Sequence, residues 1–230
     1  NNELSSIPHN LSNEMVNDFF ISVIELFNKD IPESSINKLL LSLAKSISSQ
    51  QYLEKFAEND YAKDLPYSKN QFHEQILDLL YIIVSYAPKA MNINVATQFR
   101  KLIRTNPRKC LTLLAFFGKQ FETIHDPWPM LDLLFRDAEY FRSSECCEDY
   151  ISLLSYLCQS FEDFRESRQQ HCWYSICAAL NSTHTSTLIA AYSALCSLYE
   201  YNPSVIPSLT FPSTQVSMHL GMQSIRKYAI

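Results

Sequence analysis

Thiol and imidazole chemistry is the first possibility that the residue types raise. The chain holds seven cysteines, and Cys146-Cys147, His171-Cys172 and Cys177 are their densest grouping with histidine. A structural zinc site needs C-x-x-C pairs or their histidine equivalents at fixed spacing, and none occurs. His171 and Cys172 are sequence neighbours, which point apart on a helix and so cannot serve as nucleophile and base. The chain has two glycines, Gly118 and Gly221, which leaves no glycine turn to expose a catalytic serine or cradle a phosphate. Glu145, Glu148 and Asp149 stand at a helix start, where carboxylates favour the dipole. The reading is no catalytic set, no metal and no cofactor. The thiols then serve as small hydrophobes, since Cys110, Cys158, Cys177 and Cys196 fall within apolar helical pattern. That usage suits an intracellular setting, expected to be the cytoplasm, with the nucleus as the second choice.

Charge offers a different chemistry. Residues 100–119 contain Arg100, Lys101, Arg104, Arg108, Lys109 and Lys119 and no acid, whereas residues 120–166 contain eleven acids against Arg136, Arg142 and Arg165. Arg108 and Lys109 fall in a helix's first turn, the unfavourable end for cations. Such a placement reads either as a site for a phosphate or an acidic peptide, or as a solvated face paired with acids of a neighbouring unit. The net charge of −5 argues against nucleic acid as the partner of the whole surface. From Gln169 to Ile225 the only charge is Glu200, so further repeats or a partner are expected to cover the C-terminal end. No apolar run approaches the roughly 18 residues that would span a bilayer, so membrane insertion is not expected.

These residues need elements to position them, and the elements recur. "LLAFFGKQFET" at 113–123 is answered by "LLSYLCQSFED" at 153–163, matching Leu113 with Leu153, Leu114 with Leu154 and Phe121 with Phe161. Leu79/Leu80 lie 34 residues before Leu113/Leu114, Leu39/Leu40 lie 40 before those, and Leu195 follows Leu154 by 41. The predicted helix pairs are 12–28 with 33–48, 50–59 with 70–86, 93–104 with 107–121, 127–142 with 145–161, 166–180 with 185–201, and 203–210 with 213–229. Asn106-Pro107 and Asp126-Pro127 supply an N-cap followed by proline at the first helical position. Residues 57–70 read as a longer loop. If the second helix of each pair lines the concave side, a 40-residue step stacks Thr112, Ser152 and Tyr192 in one row, and Lys119, Gln159 and Tyr199 in another.

The stretch "TLIAAYSALCSLYEYNPSVIPSL" (187–209) resembles an armadillo repeat in Ala191, Ala194, Leu195, Leu198, Asn202, Pro203, Ile206, Pro207 and Leu209. The glycine usual between the first helices of that family, and the asparagine that clamps a peptide backbone, are missing here. The resemblance and the 40-residue period imply an all-α, right-handed α-α superhelix, an armadillo/HEAT-like solenoid of five to six helix pairs. It would follow an N-terminal tail (1–11) as one helical-repeat domain (12–230) within a longer protein. The function expected is a non-catalytic scaffold binding a peptide or partner protein. The alternatives are a regulatory or targeting segment of a larger enzyme such as a kinase, and a tubulin- or nucleic-acid-contacting HEAT array using residues 100–119.

Overall fold

Helix starts follow capping chemistry. Asn92 has an extended backbone, and its Oδ1 accepts from the Asn94 and Val95 amides at 2.9 and 3.3 Å, so a helix begins at Ile93. An Asn92→Ala variant should therefore lose about 1 kcal/mol in urea denaturation, whereas Asn92→Ser should keep most of that stability. Pro107 opens the next helix at the position where its absent N–H costs nothing.

The structure, a computed structural model, describes residues 61–201 except 87 and 144, with scattered positions between 18 and 38. Every regular element among the described residues is helical. Asp18, Ile21, Ser22, Ile24, Glu25 and Leu26 are helical, inside the first predicted helix. The tail 1–11 and the helices expected at 50–59, 203–210 and 213–229 lie outside the described residues. The chain divides into two compact units, 1–133 and 134–230.

In the first unit, α1 (His73–Tyr86), α2 (Ile93–Thr105) and α3 (Pro107–Gly118) are followed by the short α4 (Trp128–Leu131). Helix α1 packs mainly on α3, and α4 packs on α2 and α3. Ile76, Leu80, Ile83, Phe99, Leu114 and Phe117 are fully buried there, each contributing about 1.5–3 kcal/mol of transfer free energy. Residues 61–70, the described part of the loop expected at 57–70, instead fold onto this core. Tyr61–Asp64 and Asn70–Phe72 are 3-10 turns, and Leu65, Pro66 and Tyr67 are buried. His73 fastens them. Its Nε2 meets the Tyr67 carbonyl at 2.9 Å and its Nδ1 meets Thr105 Oγ1 at 2.6 Å, so one buried ring ties the segment to the end of α2.

In the second unit, the helix expected over 127–142 is broken at Asp132 and Asp137 into α4, α5 (Leu133–Arg136) and α6 (Ala138–Ser143), with the unit boundary falling within it. Aspartate competes with the helical backbone for its own hydrogen bonds, which makes both positions natural breaks. Helix α7 (Cys147–Ser160) packs against both α8 (Glu162–Ala179) and α9 (Thr185–Tyr201). Phe161, extended at φ −127° and ψ 116°, separates α7 from α8, and Glu162 and Asp163 occupy the first turn of α8. That placement starts α8 four residues ahead of the expected 166. Tyr150 is buried, stacks on Phe141 with centroids 5.4 Å apart, and donates to the Leu134 carbonyl at 2.8 Å.

Burial recurs at the spacing read from the sequence. Leu77, Leu111 and Ile151 are buried, Asp78, Thr112 and Ser152 are exposed, and Leu79/Leu80, Leu113/Leu114 and Leu153/Leu154 are buried again. Ile83/Val84, Phe117/Gly118 and Leu157/Cys158 complete the pattern. In α9 the same phase holds with Ser193 exposed and Ala194, Leu195 and Leu198 buried.

Candidate functional site

The cations of residues 100–119 fall into two places. Helix α2 buries Val95, Phe99, Leu102 and Ile103, which turns Lys101 and Arg104 outward and leaves Arg100 half-buried. Arg108 and Lys109, both exposed, follow in the first turn of α3. That turn carries no acid, and Asn106 gives it no side-chain cap. Two cations there oppose the dipole by about 0.3–1 kcal/mol each. Lys119 stands apart, past the far end of α3, roughly 16 Å along the axis at the 1.5 Å rise per residue.

Lys109 turns back to α1, with Nζ 3.0 Å from Glu74 Oε1. The two side chains keep 48% and 61% of their exposure, so the pair is worth at most about 1 kcal/mol. A Glu74→Gln, Lys109→Gln double-mutant cycle read by urea unfolding should give a coupling under about 1 kcal/mol that fades in salt. Lys101 Nζ donates to the neutral Gln98 Oε1 at 2.7 Å.

Thr112 and Ser152 are both exposed at the same phase of α3 and α7, and Gln159 is half-buried with its Nε2 donating to Ser155 Oγ at 2.7 Å. Thr112 bonds the Arg108 carbonyl one turn back. In α9 the burial phase advances by 41 residues, so Ser193, and not the half-buried Tyr192, occupies the phase of Ser152. Tyr199 is exposed beside Glu200.

Exposed rings on the second helices carry a further surface that the row of polar positions omits. Tyr81 is 43% exposed and lies 4.9 Å, centroid to centroid, from the half-buried Phe116 of α3. In the other unit Tyr156, 39% exposed, meets Phe161 edge-on. The recurrence of an aromatic at 116 and 156 was the available signal; their part-exposure is set by helix phase, which the leucine stripe alone hides.

Most of the thiols are packed in the core. All seven are free and all but Cys196 are buried. Burial pushes the Cys177 thiol up to about 12. It also raises Cys172, helped by the neighbouring Cys158 thiol, and Cys147, against a hydrogen bond from Thr187. His171 faces solvent with its ring 5.3 Å from Phe135, whereas Cys172 faces the core. No group of three His, Cys, Asp or Glu side chains able to hold a metal occurs among the described residues, and no described helix is long and apolar enough to cross a membrane.

Comparisons with protein-family models, with curated proteins and with solved structures gave no match.

Proposed function

We propose that this chain is a non-catalytic protein-interaction scaffold, its helix pairs stacked as a right-handed armadillo/HEAT-like superhelix. The observation that supports this reading is the repeated burial phase of α1, α3, α7 and α9. Each keeps an apolar pair inward, Leu-Leu in α1, α3 and α7 and Ala194/Leu195 in α9, and turns a different residue outward, Asp78, Thr112, Ser152 or Ser193. Helix-on-next-but-one packing, α1 on α3 and α7 on α9, is the contact that stacked pairs make. A core that repeats while its outward residues vary suits recognition of a peptide or partner protein along the exposed positions. Free, buried thiols agree with a reducing intracellular setting.

Small-angle scattering and affinity capture test the two halves of this reading. A superhelix of 230 residues should exceed the radius of gyration of about 17 Å that a compact chain of this length would have. A value at that figure removes the superhelix. For binding, the full chain should retain specific proteins that a Tyr81→Ser, Phe116→Ser, Tyr156→Ser variant with unchanged circular dichroism loses. Equal retention by both would remove the second-helix surface as the binding face.

A further inference from the structure

Thr105 is an exposed residue whose hydroxyl holds a buried ring. It is the last residue of α2, beside Asn106, whose backbone at φ −138° and ψ 60° breaks the helix. Thr105 Oγ1 lies 2.6 Å from Nδ1 of His73, the first residue of α1, which is 2% exposed. The other ring nitrogen, Nε2, lies 2.9 Å from the Tyr67 carbonyl. A carbonyl only accepts, so Nε2 carries a hydrogen, and in the neutral ring Nδ1 accepts the one hydroxyl proton of Thr105. The Leu102 carbonyl is a longer second acceptor at 3.2 Å, and it already takes the Asn106 amide at 2.8 Å. The Tyr67 and Lys69 amides bond the Leu65 and Pro66 carbonyls. Those turns shape the segment but do not tie it to α2, which the His73 ring does.

We infer that Thr105 is a phosphorylation site and that its phosphate loosens residues 61–72 from the core of the first unit. The reaction is phosphoryl transfer from ATP by a protein kinase. A bond forms between Thr105 Oγ1 and the γ-phosphorus, the bond from that phosphorus to the bridging oxygen of ADP breaks, and the hydroxyl proton passes through the kinase's base to solvent. The ester keeps no hydroxyl proton. Nδ1 of the neutral ring then loses its donor and faces a group of charge about −1.5 to −2. An anion at the C-terminal end of α2 also opposes that helix's dipole. Two features single out this hydroxyl. Arg100, Lys101 and Arg104 precede it and Arg108 and Lys109 follow it, a flanking pattern that suits an acid-lined kinase cleft whatever contacts those side chains make within the chain. The exposed Thr97 and Thr112 bond a carbonyl one turn back on their own helices, whereas Thr105 reaches another element. Nothing in this depends on the scaffold reading.

The test uses the full chain. Incubation with magnesium-ATP and purified protein kinase C, which accepts cations on both sides of its target, should place phosphate on Thr105 as mapped by mass spectrometry. Genetically encoded phosphothreonine at 105 supplies the product directly. In that protein, amide hydrogen exchange of residues 61–72 should accelerate about tenfold, the cost of leaving one buried acceptor unmet, while exchange in α7 stays unchanged. Thr105→Val should accelerate the same amides severalfold without adding charge, and Thr105→Ser should restore them. His73→Phe, a buried ring with neither nitrogen, should remove the difference between phosphorylated and unphosphorylated chain. Thermal melts establish that each protein is folded, and Thr105→Ser carrying phosphoserine replaces any that is not. No phosphate on Thr105 of the folded chain, unchanged exchange in residues 61–72 of the phosphorylated protein, or an acceleration that persists in His73→Phe overturns the inference.

Discussion

Leu154→Ala should destabilise the second unit by about 2–5 kcal/mol, and Leu114→Ala should cost the first unit a similar amount. Both side chains are fully buried, at the same phase of α7 and α3, and each of these helices packs on a partner helix of its own unit. Truncating either removes the transfer free energy of three carbons and leaves a cavity that close-packed neighbours refill only in part. The informative result is the similarity of the two losses. If the 40-residue step marks equivalent environments, the costs agree within about 1 kcal/mol, whereas unrelated cores would scatter over the whole range that this substitution covers. Thr112→Ala and Ser152→Ala, at the exposed positions beside them, should each stay within about 0.5 kcal/mol. Urea unfolding followed by circular dichroism measures all four. A near-neutral Leu154→Ala, or a costly Ser152→Ala, would mean that the helix phase of α7 is wrong.

That phase was legible because leucine pairs mark the buried side regardless of what lies between them. Asn106-Pro107 fixed one boundary to the residue, since the chemistry of a helix start is local. Residues 61–70, the described part of the loop expected at 57–70, were harder to read. Their polar composition signals a loop, and only the burial of Leu65 and Tyr67 and the two hydrogen bonds of His73, one from a residue 32 positions away, bring them onto the core. The break of 127–142 at Asp132 and Asp137 was likewise hidden, because the apolar spacing on either side remains helical. The rows of candidate contacts depended on a constant step of 40. One added residue before α9 rotates that helix by about 100° relative to the expected row, which is why Ser193 takes the phase assigned to Tyr192. Of the cationic residues, sequence gave the grouping, but only the fold separates Lys119 from the rest and assigns Lys109 to Glu74.

Raising the pH through the range from about 9 to about 12 should destabilise the second unit progressively. Cys177 is raised from its usual value near 9 to about 12. Cys172 and Cys147 move in the same direction through burial, and burial raises the Tyr150 hydroxyl above its usual value near 10. In each case the neutral form belongs to the folded state, and the unfolded chain releases its proton first. Between the unfolded and folded values the unfolded state therefore binds fewer protons, and stability falls with rising pH. The contribution is complete below about pH 9 for the thiols and is lost progressively above it, reaching its end near pH 12 for Cys177. Each fully differential group steepens the decline by up to about 1.4 kcal/mol per pH unit. Cys177 is not sealed from solvent, so its share should be smaller than that ceiling. Unfolding midpoints in urea at pH 8, 9, 10 and 11 should drop with increasing slope. Cys177→Ala should flatten that slope while costing little stability at pH 7. A midpoint constant from pH 8 to 11 in the wild type would show that these thiols meet water in the folded chain, and the packing of α7 against α8 and α9 would have to be redrawn.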